Sequence, residues 1–223
     1  MKKKILFMVS SANIIGPRKR HTGNLLTEVA HPYEIFKKQG YDIDVYSVRG
    51  GEAPIEMFEE TDPMNAAFLK GDGPAKFKAS SSIDKVSVDK YDAVFVPGGL
   101  APVVDMPDNP TVQKILSTMY DAGKVVSAVC HGPVSLINVK LKDGSNLVDG
   151  KNVTGFSITE EFDYAREDVP FELEAALKES GGKYTSLSDW QAHSITDDRL
   201  VTGQNPASAL GMGEAVVDLL KTT

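Results

Sequence analysis

Apolar positions fall along this chain in two patterns, short unbroken runs and longer stretches spaced by three and four. Unbroken runs without alternation mark strands buried on both faces, as in a parallel sheet. Ile5 to Val9, Ala93 to Pro97 and Val125 to Val129 are of this kind, and Ile43, Val45 and Val48 mark a further strand ending at Gly50-Gly51. Helical spacing is clearest over Pro110 to Ala122, where Val112, Ile115, Leu116 and Met119 recur at i, i+3, i+4 and i+7. Glu28 to Gln39 carries Val29, Tyr33 and Phe36 on one face and stops at Gly40; Pro32 requires that helix to begin close by. A last helix over Ala207 to Leu220 offers Leu210, Val216, Val217 and Leu220 to the core, and Gly211 and Gly213 inside it allow close packing.

Less regular stretches lie between. Ser11 to Thr27 is polar and reads as a long loop, of a length that is often functional in compact domains. Glu52 to Asp89 is interrupted by Pro54, Pro63, Gly71, Gly73 and Pro74, which leaves one short helix near Asp62 to Leu69 in a meandering insert. Asn152 to Phe156 and Lys183 to Leu187 read as strands and Pro170 to Lys178 as a helix. His193 to Ile195 and Leu200 to Thr202 flank a turn at Asp197-Asp198. Strand and helix alternate, which predicts an α/β fold with a mostly parallel sheet and helices on both faces. A chain of 223 residues fits one such domain, 1–223.

Charge narrows the partners. The formal net charge is −7, so nothing draws this surface to nucleic acid or to anionic lipid, and Arg18-Lys19-Arg20 reads as a solvated loop. No apolar stretch approaches the roughly 20 residues of a spanning helix. Lys2-Lys3-Lys4 ahead of Ile5 to Val9 imitates a signal peptide, but the run ends at Ser10-Ser11 with no cleavage site, so it reads as the first strand. The single cysteine, beside seven methionines, suits a reducing compartment and a cytoplasmic protein.

That cysteine is where chemistry concentrates. The run Val125 to Val129 ends at Cys130, and His131-Gly132-Pro133 follows. Pro133 fits the first turn of a helix continued by Val134 to Val139, so the chain reads as strand, tight turn, helix: a nucleophile elbow. A thiol there sees unpaired N–H groups and a helix dipole, both favouring thiolate. In a parallel sheet ligands gather beyond the carboxyl ends of the strands, where Ser10-Ser11, Gly98-Gly99, Cys130 and Glu160-Glu161 all fall. A thiol nucleophile needs a proton acceptor, an orienting group and donors for the developing oxyanion. His131 and the carboxylate of Glu161 are the candidates for the first two, the backbone N–H groups of Gly99 and His131 for the third. Competing signatures are missing: no G-x-S-x-G, no dinucleotide or phosphate loop, no C-x-x-C. His21, His31, His131 and His193 never take H-x-x-x-H spacing, so neither a metal nor a cofactor is expected.

These segments carry a resemblance. Ala128-Val129-Cys130-His131-Gly132-Pro133, with Val96-Pro97-Gly98-Gly99 upstream and Leu200 to Ser208 downstream (Leu-Val-Thr-Gly-Gln-Asn-Pro-Ala-Ser), is similar to the DJ-1/PfpI superfamily. Thr22-Gly23 through Glu28, Ala30-His31-Pro32, Asp105 through Asn109-Pro110 and Thr154-Gly155-Phe156 resemble its glutathione-independent glyoxalase subgroup, also described as heat-shock-protein-thirty-one-like. The resemblance implies a flavodoxin-like three-layer sandwich, Cys130 as nucleophile, His131 as acid/base, a glutamate at Glu160 or Glu161 as third member, with Glu161 preferred, and Glu28 as a carboxyl approaching the thiol. It also implies a homodimer and a lyase that hydrates methylglyoxal or a related 2-oxoaldehyde to a 2-hydroxy acid such as D-lactate. A cysteine hydrolase (amidase or peptidase) and a stress-response holdase or redox sensor are the alternatives. Two departures stand out: Leu100-Ala101-Pro102 replaces the subgroup's His-Gly after the glycine pair, and Asp189-Trp190-Gln191-Ala192-His193 differs from its usual approach to the Ser-Ile-Thr-Asp turn.

Overall fold

The unbroken apolar runs form the middle of a seven-stranded sheet in the computed structural model, which describes residues 2–222. In chain order the strands are β1 (Lys4–Val9), β2 (Asp42–Ser47), β3 (Ser81–Ser82), β4 (Ala93–Val96), β5 (Val125–Val129), β6 (Ser194–Asp197) and β7 (Leu200–Gly203). They lie in the order β6-β7-β5-β4-β1-β2-β3, all parallel except β6, which runs antiparallel to β7. Ile5 sits opposite both Ile43 and Ala93, Ala93 opposite Val125, and Val129 opposite Gly203. This register brings the carboxyl ends of β1, β4, β5 and β7 to one edge.

Helices α1 (Leu26–Lys38) and α5 (Ala209–Lys221) pack together on one face, and α3 (Pro110–Asp121) covers the other. Phe7 and Phe95 project toward α1 and meet Phe36 at ring-centroid distances of 6.0 Å each. Helix α2 (Pro63–Lys70) starts where Asp62 Oδ1 accepts the amides of Met64 and Asn65, ahead of Pro63 at its first position. The Asn109 side chain does the same for α3, with Pro110 following. Val112, Ile115, Leu116 and Met119 are all buried, as their spacing requires.

Several expectations are corrected. Helix α1 begins at Leu26, so Pro32 lies well inside it and removes the N–H that would bond the Glu28 carbonyl; burial of Val29, Tyr33 and Phe36 holds the helix across the gap. The polar stretch after β1 is not one loop but a short hairpin, Ile14–Ile15 with Arg20–His21, then Asn24–Leu25 paired to Ile55–Glu56. Only Asn152–Val153 is strand in its segment, paired with Lys183–Tyr184 outside the main sheet, and the helix expected from Pro170 starts at Leu173. Leu210 is 43% exposed and does not join the core, because it lies on the outward side of α5. After Cys130 there is a single 3-10 turn, Gly132–Ser135, in place of the helix expected through Val139. Among the described residues no helix is long and apolar enough to cross a membrane.

Candidate active site

Cys130 leaves β5 in the left-handed backbone region, with φ of +60°. A side-chain-bearing residue takes that conformation at a cost of roughly 1–2 kcal/mol and keeps it only where the surroundings hold it. Here the Cys130 amide donates to the Gly203 carbonyl at 2.9 Å and its carbonyl accepts the Phe156 amide at 2.9 Å. The strained residue is thus tied to β7 on one side and to the loop ahead of α4 (Ile158–Tyr164) on the other.

His131 turns back along this bend. Its Nδ1 lies 3.4 Å from the Cys130 sulfur and its Nε2 lies 2.6 Å from Glu161 Oε2. The imidazole packs against the ring of Phe156, with centroids 4.4 Å apart. An Nε2–H donated to the carboxylate leaves Nδ1 as the acceptor facing the sulfur. Glu161 reaches this place because Ser157 caps α4, accepting the Glu160 amide, and so fixes the first turn. Glu160 and Glu161, in the first turn of α4, are both buried.

Glu28 comes from the first turn of α1 and is wholly buried beside the thiol. Its Oε2 accepts the Gly98 amide at 2.8 Å, while Oε1 has no hydrogen-bond partner. Burial pushes its carboxyl up to about 8, against the thiol of Cys130 and the amides of Gly98 and Gly99, which favour the charged form. Burial also pushes the Cys130 thiol well above its ordinary range, and the Glu28 carboxylate pushes it further; the amides of Gly99 and His131 work the other way. Burial at this position therefore works against the resting thiolate expected from the turn. The helix whose dipole was to stabilise the charge is only one turn long, and a carboxyl stands on the other side of the sulfur.

A cavity of about 370 Å³ opens onto the sulfur, lined by Leu25, Glu56, Phe58, Gly99, Cys130, Phe156, Tyr164, Trp190 and Pro206. Cys130, His131, Glu161, Glu28 and Gly99 therefore converge as the sequence suggested. Ser10 and Ser11 do not: they bond Asp105, Asn24 and Arg49 away from the cavity. Glu160 neighbours the site but points to a separate polar network. Leu100, at the position where the subgroup's histidine was expected, is buried in the core and lines no wall. Glu56, Phe58, Tyr164 and Trp190 were missed: they come from the short strand Ile55–Glu56, the segment after it, the last residue of α4 and the segment before β6, and only folding brings them to one cavity. Thr154-Gly155-Phe156 and the departure at Asp189 to His193 were the signals for the aromatic side. Among the described residues no group of three or more His, Cys, Asp or Glu is placed to hold a metal ion.

A parallel α/β sandwich with a buried thiol, imidazole and carboxylate in line beyond its carboxyl edge defines the class. The chain belongs to the DJ-1/PfpI family, which matches residues 22–219. It is similar to the glutathione-independent glyoxalase HSP31 of Saccharomyces cerevisiae, 32% identical over 98% of each chain. Among solved structures it resembles the 24 kDa rapid encystment protein of Francisella tularensis, with a TM-score of 0.93 and 36% identity over 98% of this chain and 99% of that one. It also resembles glyoxalase III of Candida albicans, with a TM-score of 0.86 and 28% identity over 97% of each chain.

Proposed function

We propose that this chain is a glutathione-independent glyoxalase that converts methylglyoxal, or a similar 2-oxoaldehyde, and water to D-lactate or the matching 2-hydroxy acid, with no cofactor or metal. The reading rests above all on one observation: the sulfur of Cys130 meets an imidazole whose far nitrogen is held by a carboxylate 2.6 Å away. The glyoxalase names of its relatives support the same chemistry.

In this reading the turn at Cys130 serves as the nucleophile elbow of a single domain. His131 takes the thiol proton as sulfur attacks the aldehyde carbon, so the nucleophile is generated on demand. The oxyanion is met by the amides of Gly99 and His131 and takes the proton of Glu28, giving a hemithioacetal. Glu28, now carboxylate, removes the hydrogen from that carbon while His131 protonates the neighbouring oxygen, giving the enediol. Glu28 returns its proton to the second carbon and His131 accepts the proton of the first hydroxyl, leaving a 2-hydroxyacyl thioester. Glu28 then deprotonates water, which attacks the thioester; the C–S bond breaks and the sulfur recovers its proton from His131. A carboxyl group held near pH 8 suits a group that must both give and take protons. We place the protein in the cytoplasm as a homodimer.

The test is D-lactate formation from methylglyoxal without glutathione, by wild type and Cys130→Ala. Activity lost with the thiol is expected. Wild type that forms no hydroxy acid from any small 2-oxoaldehyde, with Cys130 shown reduced, would overturn the proposal.

A further inference from the structure

Glu160, beside the carboxylate of the proposed triad, is buried and accepts five hydrogen bonds from four separate residues. Oε2 takes the Ser157 amide (3.2 Å), the Ser157 hydroxyl (2.7 Å) and Gln204 Nε2 (3.0 Å); Oε1 takes the Trp190 amide (2.8 Å) and Asn205 Nδ2 (2.7 Å). A carboxylate, which only accepts, is the side chain suited to a place surrounded by donors alone. Gln204 and Asn205 extend the strap. The Leu187 amide donates to Gln204 Oε1 at 2.8 Å, Gln204 Nε2 reaches the Leu187 carbonyl at 3.2 Å, and Asn205 Nδ2 reaches the Gln191 carbonyl at 2.8 Å. Thr159, next to Glu160 on α4, bonds Asp189. Residues 187–191 are thereby fastened along their length to α4 and to the end of β7.

What this strap carries is Trp190. Its backbone has φ of +62°, a conformation a bulky residue holds only under constraint, and its amide is one of the Glu160 donors. The indole is half-exposed at the mouth of the cavity and stands edge-on to Phe156 (5.7 Å) and Tyr164 (6.3 Å). With Leu25, Phe58 and Pro206 these rings make most of the wall around the sulfur apolar, Glu56 being the carboxyl side chain among the lining residues, and the cavity is larger than a three-carbon aldehyde needs.

We infer that Glu160 is a positioning residue that fixes Trp190 as the outer wall of the cavity, and that this wall selects carbonyl substrates bearing an apolar side group. The substrate arm rests on the glyoxalase reading; the positioning arm does not. Trp190 is the only tryptophan in the chain, so its emission reports this wall directly.

In Glu160→Gln, one donor replaces an acceptor among donors. The expected result is red-shifted emission and steeper acrylamide quenching with an unchanged far-UV circular dichroism spectrum. With phenylglyoxal as probe, KM should rise several-fold more than with methylglyoxal while kcat moves little, and Trp190→Ala should repeat that split. Should Glu160→Gln fail to fold, Gln204→Ala removes the link to Leu187 and is read the same way. Emission and quenching unchanged from wild type would overturn the positioning claim, even if the wild type proves not to be a glyoxalase. Equal KM changes for the two aldehydes would overturn the selection claim.

Discussion

Gly98 donates its amide to Glu28 Oε2 at 2.8 Å, and it stands where a side chain would occupy the space of that carboxyl. A Cβ at 98 would lie 2.5 Å from Glu28 Oε2, 2.6 Å from the Val129 carbonyl and 2.7 Å from Cys130 Cβ. Two of these neighbours belong to the unyielding end of β5. Gly98→Ala should therefore displace Glu28 from the sulfur, cost about 1–3 kcal/mol in stability and abolish most turnover. Denaturant unfolding beside an aldehyde assay checks both; an alanine variant of full activity would contradict this packing.

The raised carboxyl of Glu28 makes stability and activity depend on pH in a defined direction. Its pKa is higher in the folded chain, about 8 against an ordinary 4.5, so the folded state holds a proton that the unfolded state releases between those values. The stability it contributes is full below about pH 4.5 and is lost as pH rises through 8. Removing the group in Glu28→Gln should leave stability near wild type at pH 5 and raise it by up to about 4 kcal/mol at pH 9. Thermal unfolding at pH 5, 7 and 9 tests this, and parallel curves for the two proteins would count against it. Wild-type turnover should decline above pH 8, where Glu28 loses its resting proton.

Glu161 orients His131 by accepting from Nε2. Glu161→Ala frees the ring to rotate and removes the charge that stabilises imidazolium, so kcat should fall by about 10²–10⁴-fold. Truncation also leaves the buried His131 Nε2–H without its acceptor, so the folded protein should lose about 1–3 kcal/mol of stability. Alkylation of Cys130 by iodoacetamide, which needs proton transfer to His131, should slow in the same variant. Alkylation as fast as in wild type would show that the imidazole does not serve the thiol.

The two glycines of α5 should respond oppositely to alanine. Gly211 is exposed, and a Cβ there would meet Ser194 Oγ at 3.6 Å, an ordinary contact distance, so Gly211→Ala should stabilise by about 0.5–1 kcal/mol through helix propensity. A Cβ at Gly213 would come within 2.7 Å of Ile35 and 3.1 Å of the Pro32 backbone on α1, so Gly213→Ala should separate the helices and destabilise by about 1–3 kcal/mol. Midpoints of urea unfolding for the pair read the contrast.

Elements whose signal is local were legible before folding. β5 announced itself because every residue from Val125 to Val129 is buried, and α3 because its apolar spacing and its Asn109-Pro110 start agree. Cys130, His131, Glu161 and Glu28 were found because a lone cysteine after a buried strand and the family motifs point to them. Elements that depend on distant partners were misread. The helix after Pro133 stops after one turn, and Asn152–Val153 leaves the main sheet to pair with Lys183–Tyr184. Leu210 is apolar yet faces outward, which periodicity alone does not reveal across a glycine-rich helix.

By itself, then, the sequence determined the kind of layers, the place of the sulfur at a strand end and the residue types around it, because runs, spacing and caps act over a few neighbouring residues. Tertiary structure decided the surroundings of that sulfur and the shape of its cavity. Desolvation by the packed core and a carboxyl brought from α1 raise the thiol, and Tyr164 and Trp190 become walls only when α4 and residues 187–191 are fastened together. Burial and charge interaction are properties of assembled space, and no window of sequence contains them.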